Sequence, residues 1–182
     1  NYEAYVSIDG MQISVNNDTV YHRPLNTEGQ AGVANEFKAS NNILKLVQST
    51  PPSNSEGLTL AANIDTASVA KIWNNIIYDI TASSAGRAIF INDSDWTAYI
   101  YNNTIIDSTS GIEIGLGSAI AKNNIVKGSG NTNAYIGTFA SGTDYNATDG
   151  TDDIGQGSNN KISQTFTFVN AAGKNFHLAS GD

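Results

Sequence analysis

Acidic side chains carry most of the chemistry this chain could perform, and their spacing decides which chemistry that is. Asp79 and Asp107 each stand four residues after the second Asn of an Asn-Asn pair, so equivalent segments would bring their carboxylates together. Glycosidic bond cleavage needs two carboxylates roughly 5–10 Å apart, and like charges that close raise at least one pKa. The competing reading is that both acids cap equivalent turns, where Asp bonds its own backbone. Glu113 is a single carboxylate inside the strand-like run Gly111-Ile112-Glu113-Ile114, and Arg87 opens the run Ala88-Ile89-Phe90-Ile91. Asp93-Ser94-Asp95 and the group Asp144, Asp149, Asp152 and Asp153 offer oxygen ligands of the kind Ca²⁺ takes. Neither matches an EF-hand or a glycine-rich nonapeptide repeat, so solvated loop acids are the simpler reading, and Asp93 and Asp95 are weak metal candidates.

Other catalytic patterns are absent. His22 and His177 are isolated, and no phosphate loop, HExxH pair or nucleophile elbow occurs. Without cysteine, disulfides and thiolate metal sites are excluded. A net charge of −8 with only 9 Lys and Arg leaves no basic stripe to displace counterions, which argues against nucleic acid. No run of 18 apolar residues is present, so no helical membrane span is expected. Asn-x-Ser/Thr sequons begin at Asn17, Asn92, Asn102 and Asn146, as an Asn- and Thr-rich chain produces by chance.

What would position these residues is a repeat. Asn-Asn pairs lie between short apolar runs at 41–42, 74–75, 102–103 and 123–124, and the second Asn recurs at steps of 33, 28 and 21 residues. Periods of that length, built on strand-forming residues, mark a solenoid in which each copy is one coil. The pairs Ile8/Ile13, Ala39/Leu44, Ile72/Ile77, Ile100/Ile105 and Ala121/Val126 bracket the bends, with Gly10-Met11 in the place of the first Asn pair. Gly and Asn both tolerate the left-handed backbone of a sharp bend, and Asn42, Asn75, Asn103 and Asn124 have amides that can bond along the axis as a ladder. Asn146 continues the series more weakly.

A second strand set follows each bend: 57–60, 88–91, 111–114 and 133–136. Alternation puts Leu58/Leu60, Ile89/Ile91, Ile112/Ile114 and Ala134/Ile136 inside, leaving Thr59, Phe90, Glu113 and Tyr135 in an outward row. Aromatic rings stack on sugar faces and a carboxylate binds hydroxyls or Ca²⁺, so this row is the candidate glycan-binding surface. An ordinary solvent face is the plainer alternative. Residues 16–35 read as a loop excursion, 141–182 as an irregular C-terminal coil with closing strands near 165–169 and 175–178, and 61–72 as the one stretch where helix stays open. The whole is expected to be one domain, 1–182, cut from a longer protein.

The run Val6-Ser7-Ile8-Asp9-Gly10-Met11-Gln12-Ile13, the Asn-Asn bends, and Phe168-Val169-Asn170 with Asn175-Phe176-His177-Leu178 resemble the right-handed parallel β-helix superfamily typified by pectate lyases. Bacterial extracellular β-helix repeat proteins share the pattern. The resemblance implies an all-β, right-handed parallel β-helix of about five to six coils with an Asn ladder, and polysaccharide lying along one outward sheet. A lyase of this kind would abstract a proton with Arg or Lys while Ca²⁺ or a basic residue neutralises a uronate; Arg87 is the one candidate base, without an evident partner cluster.

The expectation is a non-catalytic extracellular surface, adhesion or stalk module, bacterial and cell-surface, with a glycan as partner or neighbouring coils at its open ends, and no resident cofactor unless Ca²⁺. The alternative is a polysaccharide lyase or glycoside hydrolase centred on Glu113 with Arg87, Asp93 or Asp107 assisting. A third is a phage tailspike-like fibre segment.

Overall fold

The computed structural model describes residues 3–16, 22–27, 32–47, 53–61, 65–130, 133–152 and 154–182. Among these, every regular element longer than a turn is a β-strand: β1 (Glu3–Asp9), β2 (Gln12–Asn16), β3 (Leu25–Thr27), β4 (Ala34–Ser40), β5 (Ile43–Val47), β6 (Asn54–Leu60), β7 (Ser68–Trp73), β8 (Ile76–Tyr78), β9 (Ala85–Tyr101), β10 (Thr104–Ile106), β11 (Ser110–Lys122), β12 (Ile125–Lys127), β13 (Tyr135–Ile136), β14 (Ala147–Thr148), β15 (Phe168–Asn170) and β16 (Asn175–Leu178). The described residues of 61–72, which are 61 and 65–72, hold no helix and carry β7 from Ser68; 48–52, 62–64 and Asp153 lie outside the described residues. Apart from β15 and β16, all strand pairing is parallel. The larger sheet runs β1-β4-β7-β9-β11-β13, with β3 and β6 joining through β9, and the smaller runs β14-β12-β10-β8-β5-β2. Strands that return to the same sheet once per repeat, always parallel, give a solenoid-like stack with a dry centre.

The long strand β9 splits the larger sheet into two ribbons. Its first half pairs with β6 and its second half with β7. One inner row reads Ile8, Ala39, Ile72, Ile100, Ala121, and the facing row of the smaller sheet reads Ile13, Leu44, Ile77, Ile105, Val126. From Ala39 and Leu44 onward both rows are fully buried. These are the apolar pairs that bracket the bends in the sequence.

At each bend the two Asn residues divide the work. The first, at 41, 74, 102 and 123, takes a φ of 55–56°, and Gly10 does the same at 67°. The second turns its amide inward and is buried. Asn42 donates its backbone N–H and its Nδ2 to Asn75 Oδ1, both at 3.0 Å, and Asn75 does likewise to Asn103 at 3.0 Å. Asn103 passes the pattern to Asn124, Asn124 to Asn146 and Asn146 to Asn160. The other amide proton goes to a carbonyl, for example Asn103 Nδ2 to Ile72 O at 3.0 Å. Every buried donor and acceptor of the file is thereby used, which matters because an orphan costs about 1–3 kcal/mol.

A second bend falls four residues later. Asp79 and Asp107 have φ of 59° and 53°, and Gly128 follows at 81°. Both acids are thus turn residues at equivalent corners. Asp79 pairs with Lys174 Nζ at 2.9 Å rather than with Asp107.

Two segments depart from the expected layout. β15 and β16 form an antiparallel hairpin instead of closing strands in the stack. Phe176 lies edge-on to Tyr78, with ring centroids 5.2 Å apart, and the hairpin covers the outward side of the smaller sheet around Ile106, Ile43 and Ile76. Second, β13 is shifted by one residue. Tyr135 pairs with Ile112, and Ile136 with Glu113. Since side chains alternate, that slip exchanges the faces: Tyr135 points inward and is buried, and Ile136 takes the outward place beside Glu113.

Candidate functional site

The outward row expected to meet solvent is instead covered. Thr59, Phe90 and Glu113 do occupy adjacent positions on β6, β9 and β11. Thr59 has no exposed surface, however, and Phe90 is 7% exposed. The cause is a residue that the outward-row reasoning missed, Glu56, which pairs in register with Arg87. Its carboxylate is completely buried, 2.6 Å from Arg23 Nε, and Oε2 accepts the Thr59 hydroxyl at 2.7 Å. Arg87 Nη1 reaches the other oxygen at 3.4 Å, its Nε lies 2.9 Å from Glu113 Oε2, and its guanidinium sits 4.2 Å above the Phe90 ring centroid. The Nε–H is not aligned on Glu113, so that contact is an ion pair without a hydrogen bond.

Arg87 therefore has the partner cluster that the sequence hid. Two arginines and two glutamates balance, and Glu56 ties the excursion carrying Arg23 to the stack. With its guanidinium engaged by two carboxylates, Arg87 is poorly placed to abstract a proton from a substrate. Removing one partner of such a buried set leaves an uncompensated charge, which costs about 3–5 kcal/mol. The arrangement clamps the fold.

Several other acids are spent on local hydrogen bonds. Asp93 Oδ1 accepts Asp95 N–H at 2.9 Å, Asp149 accepts Gly128 N–H at 3.0 Å, and Asp152 accepts Tyr135 N–H at 2.8 Å. Asp144 accepts from the Asn159 amide at 2.7 Å, which holds its carboxyl below the usual range. Among the described residues, no three His, Asp or Glu side chains gather as a metal site. Asp107 is exposed at its corner. His22 is buried beside Ser55 with Nε2 unpartnered, and His177 is exposed with Nδ1 2.7 Å from Asn175 Oδ1. Tyr135 lies inside, its hydroxyl 3.1 Å from Asn124 O and 3.2 Å from Ala147 O; burial pushes its pKa well up.

An open aromatic surface exists on the other ribbon. Trp73 and Tyr101 are paired neighbours on β7 and β9, and Lys71 pairs with Tyr99 one row away. These four residues line a hollow of about 360 Å³. Tyr99 and Tyr101 meet edge to face, centroids 6.2 Å apart at 64°. Lys71 Nζ lies 3.1 Å from Glu36 Oε1, and Lys38 reaches the same oxygen at 3.1 Å. Alternation on the strands before the bends carries the signal: Trp73 and Tyr101 each immediately precede an Asn-Asn pair.

No known protein family, no curated protein and no solved structure matches this chain.

Proposed function

We propose that this chain is a right-handed parallel β-helix whose buried amides form an Asn ladder, and that it serves as a non-catalytic extracellular or cell-surface module that binds glycan on its outward sheet. One observation carries the reading: Trp73, Tyr99 and Tyr101 open a half-buried aromatic hollow, while Glu56, Arg87 and Glu113 are tied to one another. Aromatic rings bind sugar by stacking and need no titratable partner. Repeat solenoids present such extended faces without requiring a reaction. A glycan array probed with the full-length protein, paired with an ultraviolet assay for unsaturated uronide products, tests this. Binding without product is expected; product formation that Glu113→Gln abolishes would overturn the non-catalytic reading.

The enzyme alternative keeps one observation in its favour. Glu56, Arg87 and Glu113 converge, as a lyase or glycoside hydrolase would require. Glu56 has no exposed surface from which to reach a substrate, and this ranks the alternative second.

A further inference from the structure

We propose that the hollow beside Trp73 takes a neutral hexopyranoside, seated by the C–H face of its ring, in preference to an acidic sugar. This rests on the glycan reading above and names the sugar class for that site. Shape comes first. Trp73 and Tyr101 sit on adjacent paired strands, about 4.8 Å apart in backbone spacing, and Tyr99 stands steeply against Tyr101. Aromatic carbon therefore forms a floor and a wall. The face of an aromatic ring is the negative part of its quadrupole, and the axial C–H bonds of a pyranose chair are the positive groups that suit it.

Charge narrows the choice. Among the described residues lining the hollow, Lys71 is the one cation, and Glu36 already holds it. Lys71 and then Lys38 keep the Glu36 carboxyl below its usual range, so at neutral pH it stays ionised and stays the lysines' partner. A uronate would have to displace that carboxylate while approaching a chain of net charge −8. A neutral sugar meets neither obstacle.

Size sets the extent. About 360 Å³ lies at the low end of the roughly 300–1,000 Å³ typical of small-molecule pockets. One or two sugar rings fit, whereas a folded partner would need a wider aromatic patch around its anchors.

Titration calorimetry and tryptophan fluorescence on the full chain provide the test. The neutral probes are the methyl glycosides and disaccharides of glucose, galactose and mannose, and the acidic probe is an oligogalacturonate of matched length. Trp96 is buried at 1% exposure, so ligand-dependent emission change reports Trp73. At least one neutral probe should bind about tenfold more tightly than the acidic one. Trp73→Ala and Tyr101→Ala should each weaken it about tenfold, with Trp73→Phe retaining most affinity. Tighter acidic binding that falls with salt overturns the neutral preference and leaves the glycan reading standing. Neutral binding unchanged in both alanine variants overturns the assignment of the site. Silence with every sugar, or self-association released by Trp73→Ala, removes the glycan reading itself and this inference with it.

Discussion

At the level of single residues, the bends show how adjacent identical side chains hold opposite jobs. Asn102 is exposed and supplies a backbone angle, while Asn103 is buried and supplies three hydrogen-bond partners. Asn102→Gly should therefore be nearly neutral, since glycine adopts the same angle freely. Asn103→Ala leaves Asn75 donors and the Ile72 carbonyl unpaired and should cost about 3 kcal/mol in denaturant unfolding. Equal effects of the two changes would refute this division. Tyr135 gives a pH prediction. Its folded pKa is raised above the ordinary value near 10, so its contribution is complete below that value and is lost as pH rises past it, where the unfolded phenol ionises. Melting curves should thus fall on the alkaline side, and Tyr135→Phe should flatten that limb. The inward placement of Asn42, Asn75, Asn103 and Asn124 was legible in the sequence as a repeat. Asn160 belongs to the same file and closes another Asn-Asn pair, but no apolar run precedes it, so nothing in the local pattern marks it.

Strands and their registers explain what the sequence could and could not reveal. The inner rows through Leu44, Ile77, Ile105 and Val126 follow directly from period-two alternation around a fixed bend. β13 defeats that logic because its register is set by a close backbone approach that no local pattern announces. A Cβ on Gly111 would lie 2.3 Å from the Ala134 carbonyl oxygen and 2.6 Å from Val126 Cγ1. The bare glycine lets the neighbouring chain settle there, one residue out of the anticipated step. Gly111→Ala should accordingly cost about 1–3 kcal/mol as overpacking and loosen β13, which hydrogen exchange at Ile112 and Tyr135 would register; a wild-type exchange pattern would count against this account. The charge clamp was hidden for a related reason. Glu56 and Thr59 are three apart, out of step with alternation, yet their side chains meet at 2.7 Å. The hairpin of β15 and β16 was visible as two short strands, but its docking on Tyr78 depends on contacts between distant parts of the chain.

Seen whole, the molecule joins a dry interior to two unlike outer surfaces on one sheet. On one ribbon Arg23, Glu56, Arg87 and Glu113 cancel one another; on the other, Trp73, Tyr99 and Tyr101 stay open. The joints between successive turns of the stack are backbone hydrogen bonds and amide contacts that link each turn to the next, and these turns are unequal in length. Steps between consecutive amides of the file are 33, 28, 21, 22 and 14 residues. Under mechanical load between its termini, such a stack peels from an end and releases one loop of chain at a time. Optical-tweezer traces should then show a graded staircase. Extension increments near 110, 95 and 75 Å are expected for the three longest steps, of 33, 28 and 22 residues, at roughly 3.3–3.6 Å per residue, against about 50 Å for the last. A single all-or-none rip would mean that the turns yield together. The bends would then act as one cooperative spring instead of a row of separate latches, each with its own length of slack.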